Sequence, residues 1–166
     1  MRILGIDPGL AIVGWGIVER VNGMTFQPVA YGSINTPAKT EVSYRLSMIY
    51  KNLNAIIEKY HPDEMAVEEL FFNTNQTTAI AVAEARGVIL LAAQQHGITI
   101  AEYTPMQVKQ AVVGYGKAEK RQVIDMVTRL LRLPAPPKPD DTADAIAIAL
   151  CHGQSAGSLL RAMNGR

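Results

Sequence analysis

Apolar residues fall along this chain in blocks whose period changes from two to 3.6 and back. Residues 2–7, apolar from Ile3 to Ile6 and closed by Pro8-Gly9, predict a short buried strand. Residues 12–20 predict a second strand and 24–34 a third, joined by Asn22-Gly23, a strong hairpin turn. Val42, Leu46, Ile49, Leu53, Ile56 and Ile57 then recur at helical spacing and predict a helix over about 41–60, stopped by His61-Pro62. A fourth strand is expected at 64–69. A polar loop with Phe71 and Phe72 follows, then a helix over about 76–96 with Thr74 or Asn75 as its cap. That helix is Ala-rich and apolar almost all round, so it needs burial on more than one side. A fifth strand at 98–103 precedes a short helix from Thr104-Pro105 to about 113. Gly114-Tyr115-Gly116 breaks it, and a basic helix runs over about 118–132. After a Pro-rich stretch, a last helix is expected over about 141–152, with a flexible tail at 154–166. The order βββαβαβααα predicts an α/β fold, one mixed five-stranded sheet with helices on both faces. No linker or repeat divides 1–153, so it reads as a single domain.

Charge changes this picture more than composition does. The net charge is only +1, but seven basic residues against two acidic ones lie between Lys109 and Lys138. The acids gather instead at 63–69 and 140–144. A basic segment beside an acidic cluster is what a polyanion cut with the help of a metal requires. The single cysteine, Cys151, excludes an internal disulfide and a thiolate zinc cage, and a reducing cytoplasm is the natural setting. No signal-peptide core precedes Asp7, and Glu84 and Arg86 interrupt the longest apolar stretch, so no membrane partner is expected.

Four acids carry the candidate chemistry. Asp7 ends the first apolar run and Glu68 a later one, Met65-Ala66-Val67, in the fourth strand. These are the two most apolar runs, so the strands are expected to be central and adjacent. Asp141 and Asp144, three apart on a helix, share a face with Cβ atoms roughly 5–6 Å apart. Carboxylates that converge repel one another, and burial raises the cost, so a fold keeps them together where a cation neutralises them. Hard oxygen donors suit Mg2+ or Mn2+, and two such ions about 4 Å apart would serve phosphodiester hydrolysis, one activating water and one stabilising the leaving 3′ oxygen. Each acid also has a plain reading. Asp7-Pro8-Gly9 is a common turn, Glu68-Glu69 a common solvated pair, and Asp141 a common helix cap with Asp144 completing a capping box. No Ser-His or Cys-His pairing is evident. His61, His96 and His152 fall at helix ends and read as capping or solvent residues.

Five groups of motifs recur in a known order: Gly5-Ile6-Asp7-Pro8-Gly9 with Gly14-Trp15-Gly16; Ala66-Val67-Glu68-Glu69-Leu70-Phe71; Ala85-Arg86-Gly87; Gln107-Val108-Lys109-Gln110 with Val112-Val113-Gly114; and Ala118-Glu119-Lys120 with Asp141-Thr142-Ala143-Asp144-Ala145. In these the chain resembles the RuvC family of Holliday-junction resolvases. Together the motifs span roughly residues 2–150 in family order. The resemblance implies a ribonuclease H-like fold and an endonuclease that nicks four-way DNA junctions symmetrically, leaving 5′-phosphate and 3′-hydroxyl ends. It implies catalytic, metal-holding roles for Asp7, Glu68, Asp141 and Asp144, with two Mg2+ per subunit and Mn2+ able to substitute. Some relatives have His at the position of Asp141. It further implies a homodimer and contact with a RuvA–RuvB branch-migration complex. The 76–96 helix is the candidate dimer face, its alternative being an ordinary core helix.

Lys109, Lys117, Lys120 and Arg121 flank the Gly114–Gly116 break and are the candidate DNA contacts, whereas Arg129 and Arg132 read as a solvated face. By resemblance, Lys109 and Lys120 contact the scissile region and Phe71 stacks on an unpaired base; base stacking is worth about 1–3 kcal/mol. Phe71 is expected outward and Phe72 inward, while Trp15 is expected in the core. Three rivals stand beside this reading: a sugar-kinase-like phosphotransferase, which needs a second lobe; a YqgF-type nuclease, against which Phe71, Lys109 and Lys120 speak; and a junction-binding module that does not cut.

Overall fold

The computed structural model describes the backbone of residues 1–23, 25–69 and 76–164, and the side chains of these apart from 76–78 and 156–164. Its elements follow the expected order: β1 (Arg2–Asp7), β2 (Ile12–Asn22), β3 (Thr25–Asn35), α1 (Val42–Tyr60), β4 (Glu64–Glu68), α2 (Gln76–Gln95), β5 (Thr99–Tyr103), α3 (Pro105–Val113), α4 (Lys120–Leu130) and α5 (Asp140–Asn164). The five strands make one sheet in the order β3-β2-β1-β4-β5. β1, β2 and β3 form an antiparallel meander, and β4 and β5 add in parallel on the other side of β1. The two most apolar strands are therefore adjacent, as expected, because each must be covered on both faces.

Side-chain alternation splits β1 between two cores. Leu4 and Ile6 pack with Val13, Ile17, Met65 and Val67 under α1 and α2, which contribute Ile49, Leu53, Ile57, Ala85 and Ile89. Ile3 faces the opposite layer with Val18 and Ala66, against Val108, Val123, Val127 and the buried run Ile146–Cys151 of α5. Trp15 joins the first core, its ring centroid 6.0 Å from that of Tyr60. No helix among the described residues is long and apolar enough to cross a membrane.

Two expectations are corrected. The last helix does not end near residue 152 but runs to Asn164. Gly153 had suggested a stop, since glycine is costly inside a helix. Here it answers a packing need: a Cβ at 153 would lie 2.3 Å from the Phe26 ring and 3.0 Å from Ile3 Cδ1. His152 is neither a cap nor solvated. It is buried within α5, where Nδ1 bonds the Tyr103 hydroxyl at 2.8 Å and Nε2 bonds Glu64. Its place on the sheet-facing side of α5 explains this, because a polar ring there must find partners. His61 does cap α1 in a left-handed conformation, and His96 is exposed and bonds Asn54.

Candidate carboxylate site and its basic rim

Parallel register sets Ile6 of β1 against Val67 of β4, so the residues that follow, Asp7 and Glu68, leave neighbouring strands side by side. Period-two alternation sends both toward the α5 layer, the face of Ile3 and Ala66. α5 closes on this face because the strands beneath it carry glycine. A Cβ on Gly5 would stand 2.0 Å from the carbonyl oxygen of Ala145, one on Gly14 2.0 Å from that of Asp141, and one on Gly16 2.5 Å from Ile146 Cγ1. Gly14 is the residue paired with Asp7 across β1 and β2. The first turn of α5 thus rests directly on the backbone beside Asp7. Buried Thr142 fixes it there by donating its hydroxyl to the carbonyl of Gly32, at 3.1 Å. Asp140 and Asp141 occupy the helix N-terminus, where backbone dipoles favour negative charge.

The acids feel one another strongly. Burial, then repulsion from Glu68, Asp144 and Asp141, raises the pKa of Asp7 from 3.8 to about 8. Burial and Asp144 raise that of Glu68 from 4.5 to about 7, against the opposing pull of Lys109 and Lys120. Asp144 is also raised, chiefly by burial, although Lys120 works the other way. Lys120 Nζ lies 2.9 Å from Asp144 Oδ2 and 3.9 Å from Asp140 Oδ2. Among the described residues no three Asp, Glu, His or Cys side chains are grouped so as to hold one ion as they stand. The acids act on one another without sharing a single coordination point, and Asp144 is paired with the Lys120 ammonium.

The donor set nonetheless fits a hard divalent cation. It is all carboxylate oxygen and partly buried, and burial with mutual repulsion raises the pKa values of Asp7 and Glu68, a cost that a bound cation would relieve. Beside it lies a cavity of about 200 Å³ lined by Glu68, Lys109, Lys120, Asp144, Val108 and Ile148. Its lining combines two carboxylates with two lysines, a mixture suited to a metal-bound phosphate.

Lys109 and Lys120 therefore belong with the acids. Lys120 is placed by α4, whose start is fixed where Gln122 accepts from the backbone N–H of Glu119 (2.8 Å) and from the Tyr115 hydroxyl (2.7 Å). Lys117 and Arg121 are exposed beside it and do not perturb the acids. Phe71 and Phe72 lie outside the described residues. Sequence reasoning missed Asp140 as a partner of Lys120 and Thr142 as the tie to β3. The acidic pair Asp140-Asp141 at a helix start was the available signal for the first; nothing local marks the second.

The chain matches a family model described as crossover junction endodeoxyribonuclease RuvC over residues 3–152. Relatives bearing that name include one from Brevibacillus brevis, 58% identical over 93% of this chain and 92% of the relative, and one from Desulfitobacterium hafniense, 56% identical over 99% of each. The fold is similar to that of T. thermophilus RuvC in complex with Holliday junction substrate, with a TM-score of 0.90 and 35% identity over 95% of this chain and 96% of that one.

Proposed function

The chain belongs to the RuvC family, and from that premise we propose that it is a structure-specific endonuclease that resolves four-way DNA junctions by paired, metal-dependent phosphodiester hydrolysis. One observation carries the reading: Asp7, Glu68, Asp141 and Asp144 come from three distant stretches, and burial, together with repulsion from the other three, raises Asp7 to about 8. A protein bears such a cost where function requires it. Asp7, Glu68, Asp141 and Asp144 would hold Mg2+, two ions per subunit, with Mn2+ able to substitute. The chemistry supplied is activation of water and relief of charge on the phosphate and leaving oxygen.

The protein's own groups do the rest. Lys109 and Lys120, at the rim of the cavity, neutralise the scissile phosphate and the charge that develops on it. Lys117 and Arg121, exposed next to them, bind flanking phosphates, and Phe71 stacks at the crossover. Two copies of one site suit a two-fold junction, so the working unit is a homodimer. α2 offers the face: Ala85, Ile89, Ala92 and Ala93 are buried in the core, yet Ile80 and Leu91 on its other side are 67% and 52% exposed. The enzyme acts in the cytoplasm, where contact with a RuvA–RuvB motor would deliver its substrate.

A mobile four-way junction with Mg2+ tests this. Wild-type protein yields paired nicks with ligatable ends, and Asp7→Asn binds the junction without cutting it. Full activity in Asp7→Asn removes Asp7 from the mechanism. Preference for RNA over junction DNA favours the YqgF-type rival instead.

A further inference from the structure

Lys120 stands between two carboxylates that are four residues apart on α5 and so lie one turn apart on one face. Its Nζ is 2.9 Å from Asp144 and 3.9 Å from Asp140. The two acids differ in setting: the Asp144 side chain is 29% exposed and the Asp140 side chain 60%. Asp144 belongs to the repelling cluster, whereas Asp140 projects toward solvent at the start of the helix. An ammonium and a divalent cation drawn to the same carboxylate repel each other, and the lysine stem, with four rotatable carbons, can shift by a helical turn at little cost.

We propose that Lys120 is a built-in counter-ion that leaves Asp144 for Asp140 when a divalent cation binds, so that Asp140 is a positioning residue keeping the ammonium at the mouth of the site. The proposal rests on the reading of Asp144 as a metal ligand. It gives Lys120 two duties in sequence. Before loading, its ammonium, 2.9 Å away, is the counter-charge of the partly buried Asp144 carboxylate. After loading, it is held one turn away, still at the edge of the cavity it shares with Lys109 and Glu68. It also explains an acid at position 140 that the cluster itself does not need.

Calorimetric titration of the full-length protein with Mn2+, without DNA, tests both parts. Lys120→Met is expected to tighten Mn2+ binding about 5-fold, the scale of one partly exposed ion pair that no longer competes. Asp140→Asn is expected to weaken binding about 3-fold in the wild-type background and to have no effect in the Lys120→Met background. An Asp140→Asn effect of equal size in both backgrounds means that Asp140 acts on the ion directly and overturns its role as receiver. Unchanged or weaker binding in Lys120→Met overturns the counter-ion. Asp144→Asn separates these from the premise: it must weaken binding strongly, and if it does not, the metal reading of Asp144 fails first.

Discussion

Replacing Asp7 by Asn should stabilise the metal-free protein, and increasingly so as pH rises. In the fold, Asp7 titrates near 8 instead of 3.8. Its folded pKa is raised, so between those values the folded state keeps a proton that the unfolded state releases. The contribution to stability is fully present below pH 3.8 and is lost as pH rises toward 8, the reverse of the usual salt-bridged carboxylate. Each pH unit in that window removes about 1.4 kcal/mol, so pH 5 to 7 removes about 3 kcal/mol. For a chain of this size that is roughly 6–12 °C in Tm. Glu68, raised to about 7, acts in the same direction, but the two repel each other and titrate as a pair, so their effects are not summed.

Asn has nearly the same shape and no proton to hold. Thermal melts in chelator at pH 5 and pH 7, for wild type and Asp7→Asn, isolate the effect as a difference of differences. Titrating groups that do not act on Asp7 are common to both proteins and cancel to first order, whereas Glu68, coupled to Asp7, does not, so the difference belongs to the pair. The wild-type curve should fall relative to the variant by about the amount above, and excess Mg2+ should restore wild type far more than the variant. Parallel pH dependences would refute the reasoning: Asp7 would then hold no proton, and the four acids would not form one strained field.

Gly14→Ala puts a Cβ 2.0 Å from the carbonyl oxygen of Asp141; it should lift the first turn of α5, cost about 1–3 kcal/mol, and abolish nicking, and a variant that melts and nicks like wild type would show that this contact does not seat the helix. Lys109→Ala should weaken junction binding and reduce the slope of log K against log salt by about one, read from fluorescence anisotropy at several salt concentrations; an unchanged slope places Lys109 off the phosphate track.

The sheet was legible because its strands are short, apolar and punctuated by turn residues that allow few alternatives. The acids were legible because Asp7 and Glu68 each end a buried strand, where charge is expensive, and Asp144 precedes a run of apolar residues. What escaped was decided by contacts distant in sequence. Gly153 reads locally as a helix stop, but Phe26 and Ile3 give it a neighbour that admits no side chain. His152 reads as a helix-end residue until Tyr103 and Glu64 are brought to its two nitrogens from neighbouring strands. Asp140 has no role of its own in the sequence until α4 delivers Lys120 across from it. Each is a residue whose role is set by a partner 20 or more positions away, which period and propensity do not encode.

The core and the site are one construction. Gly5, Gly14 and Gly16 give up side-chain burial on the face of the sheet that α5 covers, and glycine in a strand weakens it. In return the helix backbone descends onto the strands, which is the only way its first turn can bring Asp141 and Asp144 level with Asp7 and Glu68. Larger residues at those three positions would make a thicker, better-filled layer and a sheet with more intrinsic preference for strand, yet they would separate the acids. The same choice makes the metal-free protein less stable at neutral pH, because the burial that α5 imposes, and after it the repulsion among the acids, raises Asp7 and Glu68. Stability and activity are therefore coupled through a single distance, that between α5 and β1. Substitutions that widen it should relieve the repulsion and lose the chemistry together, whereas those that only neutralise an acid should relieve the repulsion and leave the helix seated.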